Sequence, residues 1–338
     1  MRYAKLLRMT DAPDHTWVEI VNPWDTTQVL RQYLLVDQAM SSAAVEALQA
    51  QHPTSVLLHT PLQRTLPQST VHAALALQLG AQQSLVGLCD TAYIVAPELK
   101  ELHLPDFGRG DQPNVERIIA AKTQACLFAP FENARYESLE RAHVPIVDCA
   151  DYLETSPLGR AEWMKFYGLL FGREREADSL FAVVEKNYQA LSEKAKQSKI
   201  TRSVLPDRKV GPVWYLPGGE SSVGLLYKDA HGMYAYAKDK HSGSLSMPFE
   251  TVLDKFVQSD FWILSYRGDF NRAKLLAEFQ GYSMLKPCRT GEIYGCKVDS
   301  IPYFEEVSWR PDWLLSDLIQ LFHPDLQIAP MRYYHKLK

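Results

Sequence analysis

Apolar positions along the chain follow two periods, and the alternation between them sets out an architecture. Residues 16–21 and 29–36 are rich in β-branched and aromatic side chains around the turn NPWD, which predicts a leading pair of strands. From residue 55 short apolar runs alternate with helical spacing. Strands are predicted at 55–59, 84–89, 125–129 and 144–148, and helices at 68–79, 114–122 and 138–142. Pro67 precedes the first of these helices, Ser69 or Thr70 opens it and Gly80 stands just past its end. Strand and helix alternating at this spacing means βαβ units and a mostly parallel sheet.

From about 158 to 197 the period is helical throughout, with Trp163, Phe166, Tyr167, Leu170, Ala177, Leu180, Phe181, Val184, Tyr188 and Leu191 on one stripe. A single helix there would span roughly 55–60 Å, a natural strut, with Gly168 and Gly172 as places where it bends. After the linker KQSKITRSVLPDRK the alternation resumes, with strands at 213–216, 261–265 and 292–297 and helices at 249–257, 272–278 and 313–322. The expected fold class is therefore α/β: an N-terminal lobe (1–157) with leading strands, a connecting helix (158–197) and a C-terminal lobe (198–338).

Composition narrows the function. The 338 residues are 46% hydrophobic and 22% charged with net charge −4, ordinary for a globular chain with sizeable cores. No basic run interleaves with aromatics, so a nucleic-acid partner is not expected. No apolar stretch approaches the roughly 20 residues of a membrane span, and MRYAKLLRMTD lacks the apolar core of a secretion signal. The five cysteines form no CxxC pair, so no metal site is expected. Cys126 and Cys149 read as core residues. Cys288 and Cys296 flank the turn RTGEIYG, and an oxidising compartment would allow them to pair.

The two lobes echo one another. PNVERII leads into ACLFA, and MPFETVL leads into FWILS. Each places a glutamate, Glu116 or Glu250, in a first helical turn on the face away from an apolar pair. Either carboxylate offsets the helix dipole by about 0.3–1 kcal/mol, and that alone accounts for its position. Matched docking points for arginines on a partner are the other reading.

The run YLETSPLGRAEWMKFYGLLFGRE (152–174) closely resembles the strut-helix entry of ABC-transporter substrate-binding proteins of the iron-siderophore, haem and cobalamin group. PNVERIIAAK and MPFETVLDKF resemble that family's docking helices, and RPDWLLSDLIQLFHPDL its closing helix; the likeness runs from about 56 to 326. It implies two Rossmann-like lobes joined by one long rigid helix, with the ligand in the cleft between them. It implies a monomer that hands a metal chelate to a membrane permease and its ATPase, with Glu116 and Glu250 meeting permease arginines. It also implies a periplasmic or outer-face, lipid-anchored location, so the absent signal is attributed to trimming.

Ligands of α/β lobes meet the loops after the carboxyl ends of strands, here 60–68, 90–93, 130–133, 215–219 and 266–269. Arg64 and Arg267 are expected to face each other across the cleft as anion partners. Tyr93, Phe131, Trp214, Tyr215, Tyr303 and Trp309 are expected to supply flat apolar walls. Core packing for each aromatic, and a surface charge for each arginine, are the plain alternatives. No cofactor or catalytic residue is expected. The transported ligand is ranked as ferric siderophore, then haem, then cobalamin; His59, His72, His231 and His241 offer haem ligands, but none stands out. LPGGESS lacks the lysine of a phosphate loop, and GESSVG is no nucleophile elbow. Asp148, Asp151 and Glu154 read as solvated loop charges rather than a cation site. The rival class is an enzyme, either a chelatase-like protein or a metal-cluster protein with two α/β lobes.

Overall fold

A computed structural model describes residues 1–131 and 136–338. The chain divides into two compact units. The first comprises Met1–Glu154, Leu158–Ala182 and Phe304–Trp309; the second comprises Thr155–Pro157, Val183–Tyr303 and Arg310–Lys338.

The first unit opens with β1 (Leu7–Asp11), β2 (His15–Val21), β3 (Val29–Asp37), α1 (Ser42–Gln51) and β4 (Val56–Thr60). These strands form one sheet in the order β1-β2-β3-β4, antiparallel until β3 and β4 run parallel. The sequence anticipated β2, β3 and β4 but not β1. It also set β4 among the βαβ strands, whereas its hydrogen bonds go to β3. Next come β5 (Thr65–Pro67), α2 (Thr70–Gln78), α3 (Pro97–Lys100), β6 (Gly108–Arg109), β7 (Gln112–Pro113), α4 (Val115–Ala120), β8 (Ala125–Phe128), α5 (Glu137–Arg141) and β9 (Ile146–Asp148). β5, β8 and β9 make a parallel sheet, buried along its length as parallel strands usually are. Residues 84–89 contribute only isolated bridges, Thr65 to Leu85 and Leu88 to Asp106, rather than the expected strand.

The helical stretch is three helices instead of one: α6 (Pro157–Glu162), α7 (Met164–Phe171) and α8 (Glu174–Ala195). Gly172 ends α7 at φ +64, a conformation that favours glycine. The Arg173 N–H returns to the Gly168 carbonyl (2.7 Å) and the Gly172 N–H to Leu169 (3.3 Å), a Schellman closure. A side chain at Gly168 would come within 2.5 Å of the Ala177 Cβ, so the glycine lets the start of α8 fold back onto α7. The 22-residue α8, about 33 Å long, buries Ala177, Phe181, Val184 and Tyr188 at helical spacing.

The second unit contains β10 (Val204–Pro206), β11 (Lys209–Val210), β12 (Val213–Pro217), α9 (Ser222–Asp229), β13 (Ser244–Met247), α10 (Phe249–Phe256), β14 (Phe261–Tyr266), α11 (Arg272–Glu278), α12 (Lys286–Thr290), β15 (Ile293–Lys297), α13 (Tyr303–Glu306), α14 (Pro311–Phe322) and β16 (His335–Lys336). Part of α13 belongs to the first unit. Parallel β10, β14 and β15 form its core sheet, with β16 antiparallel at the edge. A second sheet, β11-β12-β13, is antiparallel.

Buried carboxylates pin distant segments by accepting successive backbone N–H groups. Glu162 takes those of Arg2, Tyr3 and Ala4 at 2.8–3.0 Å. Glu154 takes those of Lys5 and Leu6 together with the Trp163 indole. Glu305 takes Val95 and Ala96, and in the second unit Asp317 takes Arg332, Tyr333 and Tyr334. Each carboxylate is nearly inaccessible to water, so these charge-assisted bonds fix chain positions that secondary structure leaves open. Cys89, Cys126, Cys149, Cys288 and Cys296 are all free and buried; Cys288 in α12 and Cys296 in β15 do not pair.

Candidate functional site

In the first unit, parallel β5, β8 and β9 deliver three loops to one edge: Gln68–Ser69, Ala129–Phe131 and the segment from Cys149 to Tyr152. Gln68 ties them together. Its amide donates to the Gly110 carbonyl (2.7 Å) and the Tyr136 hydroxyl (3.0 Å), and its carbonyl oxygen accepts the Ala129 N–H (2.6 Å). Asp90, left-handed at φ +55, accepts the Gly110 N–H at 2.8 Å. The Tyr152 hydroxyl donates to the Pro130 carbonyl (2.6 Å), joining the loops after β8 and β9. On this braced edge three rings stay open to solvent: Tyr93 (57% exposed), Phe131 (48%) and Tyr152 (38%). Part of the 130–133 loop expectation, from Glu132 onward, lies outside the described residues.

Beneath the rings lies a buried charge network. His72 on α2 meets Asp151 through Nε2 (2.8 Å) and Ser69 Oγ through Nδ1 (3.2 Å). The Tyr167 hydroxyl donates to Asp151 at 2.8 Å, and Arg160 Nε lies 3.6 Å from its other oxygen. Burial alone would hold His72 neutral; Cys149 and Asp151 outweigh it and lift the imidazole well above its ordinary value. Asp151 is held below the carboxylate range against its burial, by His72 first and Arg160 after it. Serine, histidine and aspartate stand in a row here, with the His72 ring held between Ser69 and Asp151. The row works as a structural ion pair under the loop edge. Asp148 is likewise committed, to Arg31 (2.9 Å) and the Tyr33 hydroxyl (3.1 Å). The expectation that Asp148, Asp151 and Glu154 are solvated is therefore corrected, since all three are buried and internally partnered. Among the described residues no group of three or more His, Cys, Asp or Glu side chains could hold a metal ion.

In the second unit the carboxyl ends of β10 and β14 lead into Asp207 and Arg267. Asp207 is left-handed at φ +57; its N–H donates to the Ile263 carbonyl (2.8 Å) and its carbonyl accepts the Trp262 indole. Arg267 is exposed, as is Tyr215 at 46%.

Three expectations need correction. Arg64 precedes β5, so it stands at the amino end of the parallel sheet, away from the loop edge. Its guanidinium donates to the Ala121 carbonyl (2.7 Å) at the end of α4, where a helix terminus favours a cation. Trp214 is fully buried against Trp262 and Tyr282, with its indole donating to the Pro206 carbonyl (2.8 Å), so it offers no wall to a ligand. Trp309 is equally buried; it packs on His72 and Tyr167 and donates to the Val71 carbonyl (2.8 Å). Tyr303 is half-buried against Tyr333. Glu116 and Glu250 are both exposed in the first turns of α4 and α10, and the exposed Ile119 lies one turn beyond Glu116. Sequence reasoning missed Gln68 and Tyr152.

Residues 65–299 match the model of the family described as periplasmic binding protein, and the chain belongs to that family. Two uncharacterized lipoproteins of Methanocaldococcus jannaschii are similar to it. One is 24% identical over 289 residues (80% of this chain, 67% of the relative), the other 23% over 270 (75% and 68%). Among solved structures it is similar to a periplasmic heme binding protein from Pseudomonas aeruginosa, with TM-score 0.63, 18% identity and coverage of 82% and 98%. It is also similar to an ABC-type Fe3+-hydroxamate transport system protein from Saccharomonospora viridis, with TM-score 0.60, 20% identity and coverage of 77% and 93%. A siderophore binding protein from Vibrio cholerae bound to Fe3+-Desferal gives TM-score 0.58, 16% identity and coverage of 77% and 99%. These likenesses establish the α/β fold with parallel sheets that the sequence predicted, in a family of solute-binding proteins.

Proposed function

We propose that this chain is the substrate-binding component of an ABC importer, held on the outer face of the membrane, and that it captures a ferric siderophore or a related metal chelate. The observation that carries this reading is the braced loop edge of the first unit, with Tyr93, Phe131 and Tyr152 open to solvent on loops fixed by Gln68, Asp90 and Tyr152 itself. A ferric chelator saturates its own iron, so it needs flat apolar contact and a few polar groups rather than protein ligands to the metal. Rings on preorganised loops supply that contact with little ordering on binding. Arg267, Tyr215 and Tyr303 are the second-unit residues proposed to contribute. Haem and cobalamin are the alternative ligands. A lipid anchor fits the relatives named as lipoproteins. Glu116 and Glu250 are proposed to meet arginines of the permease.

The test is tryptophan and tyrosine fluorescence titration of the purified chain with ferric hydroxamates, haem and cobalamin. Saturable quenching by one class, weakened in Phe131→Ala and Tyr152→Ala, supports the reading. Quenching unaffected by either substitution would place the ligand elsewhere.

A further inference from the structure

In the first unit Arg160 belongs to α6, and its ion-pair partner Asp151 lies on the segment after β9 that also carries the exposed Tyr152. Here the carboxyl ends of the parallel strands deliver their loops, the edge at which α/β sheets receive ligands. The contact is loose. Arg160 Nε stands 3.6 Å from Asp151 Oδ2, too long for a hydrogen bond. Other arginines of the chain close such pairs: Arg310 grips Asp312 in a fork at 2.9 and 2.7 Å, and Arg31 donates to Asp148 at 2.9 Å. Among the described residues the Arg160 guanidinium donates no hydrogen bond, and its Nε is shut off from water as well. A guanidinium is a donor at every nitrogen, and a buried donor without an acceptor calls for an explanation.

Asp151 does not supply it. That carboxylate already accepts the His72 ring and the Tyr167 hydroxyl on Oδ1, each at 2.8 Å. Burial works against a charge on His72, yet Cys149 and Asp151 lift its imidazole well above the ordinary value, so one cation already balances Asp151. Arg160 adds a second positive charge, and among the described residues no further carboxylate lies within ion-pair reach of it. Its side chain is 25% exposed, so it is not sealed in. A guanidinium held at 3.6 Å is free to turn outward, which releases Nε together with a terminal nitrogen. The two then form the flat fork that matches a carboxylate. A neutral molecule would leave the positive charge unmatched, and a cationic one would be repelled.

We infer that Arg160 is a specificity-determining residue of the first unit's site and receives a carboxylate of the bound chelate; the inference rests on the chelate-binding reading above. Arg160 takes the part that the sequence assigned to Arg64, which stands at the opposite edge of the same sheet. The exposed rings of Tyr93, Phe131 and Tyr152 accept any flat chelate, whereas a guanidinium sorts chelates by charge. A ferric polycarboxylate carries the group that Arg160 recognises, and haem carries it on its propionates. A hydroxamate such as the ferric complex of Desferal has no carboxylate.

The experiment is calorimetry on the full chain with ferric dicitrate, haem and the ferric Desferal complex, at low and at physiological salt. Each probe is titrated into the wild type, Arg160→Gln and Arg160→Lys. At least one carboxylate probe should bind the wild type, and its affinity should fall roughly tenfold or more in Arg160→Gln. The loss should be smaller in Arg160→Lys, which keeps the charge but not the fork. The salt dependence of carboxylate binding should flatten in Arg160→Gln, a change that a merely structural role would not produce. Whether citrate or haem responds identifies the source of the carboxylate. Equal losses for all three probes, no loss for any, or binding of the Desferal complex alone would overturn the inference. Should Arg160→Gln not fold, Arg160→Lys carries the same comparison with a smaller expected loss. Should no chelate bind, the chelate reading fails by itself, and nitrogen-15 NMR of the Arg160 Nε–H, assigned by its absence from Arg160→Lys, decides separately. A saturable shift on adding citrate sustains the assignment, and an unmoved resonance removes it.

Discussion

Replacing Asp151 by asparagine tests the buried network under the loop edge. Asp151 is 1% exposed and is the shared acceptor of the His72 ring and the Tyr167 hydroxyl, with Arg160 alongside. Asparagine keeps the shape and one acceptor but removes the charge. Breaking a buried pair by removing one partner costs about 3–5 kcal/mol, and the retained acceptor puts this case near the lower end. For a unit of this size, about 3 kcal/mol lowers Tm by roughly 6–12 °C. The pH dependence is more diagnostic. His72 is raised in the folded protein, so its contribution is fully present below the unfolded value of about 6.5 and is lost as pH rises toward the folded one. Wild-type stability should therefore fall between pH 6.5 and 8.5, by at most about 1.4 kcal/mol per pH unit for one proton. In Asp151→Asn the carboxylate that helps offset burial is gone, His72 is raised less, and this downward slope becomes shallower. Guanidinium unfolding followed by circular dichroism at pH 6.5, 7.5 and 8.5 measures both slopes. Equal slopes in the two proteins would refute the account of His72 as a buried cation.

Further outcomes are expected. Gly168→Val should destabilise the first unit markedly, because its Cβ would fall 2.5 Å from that of Ala177; a thermal melt within a degree of wild type would contradict the packing. All five thiols are buried and several are pushed up by burial, Cys288 to about 11 and Cys89 and Cys296 to about 12. A thiol-specific dye should accordingly label none of them in the native protein and all of them in guanidinium. Glu116→Arg and Glu250→Arg should abolish uptake in cells while leaving chelate affinity unchanged; a loss of affinity in the purified protein would take both glutamates out of a docking role.

The fold was legible wherever periodicity spans several turns, as in α2, α10 and α14, or wherever a strand is a continuous apolar run, as in β8 and β14. It was not legible in β5 and β10, three residues each, whereas the equally short β9 sits in a longer apolar run and was read. VLP of β10 sits inside a stretch that reads as a linker. Arg64 was misplaced for a related reason, because the start of β5 decides which edge of the sheet it occupies. The break at Gly172 was visible as a glycine, but its left-handed closure depends on Gly168 and Ala177 packing together. Strand parity could have separated Trp214 from Tyr215: neighbours on β12 face opposite sides, so one is core and the other is exposed. The buried carboxylates were hidden entirely, since the N–H groups that Glu154 and Glu162 hold lie about 150 residues away along the chain.

The central claim, that this chain captures a metal chelate, is tested most directly by differential scanning fluorimetry with ferric siderophores, haem and cobalamin. A ligand at 100 times its Kd stabilises the folded state by about 2.7 kcal/mol. The account predicts a clear rise in melting temperature with one ferric siderophore, diminished in Phe131→Ala and Tyr152→Ala. Unchanged melting with every chelate in the panel would contradict it.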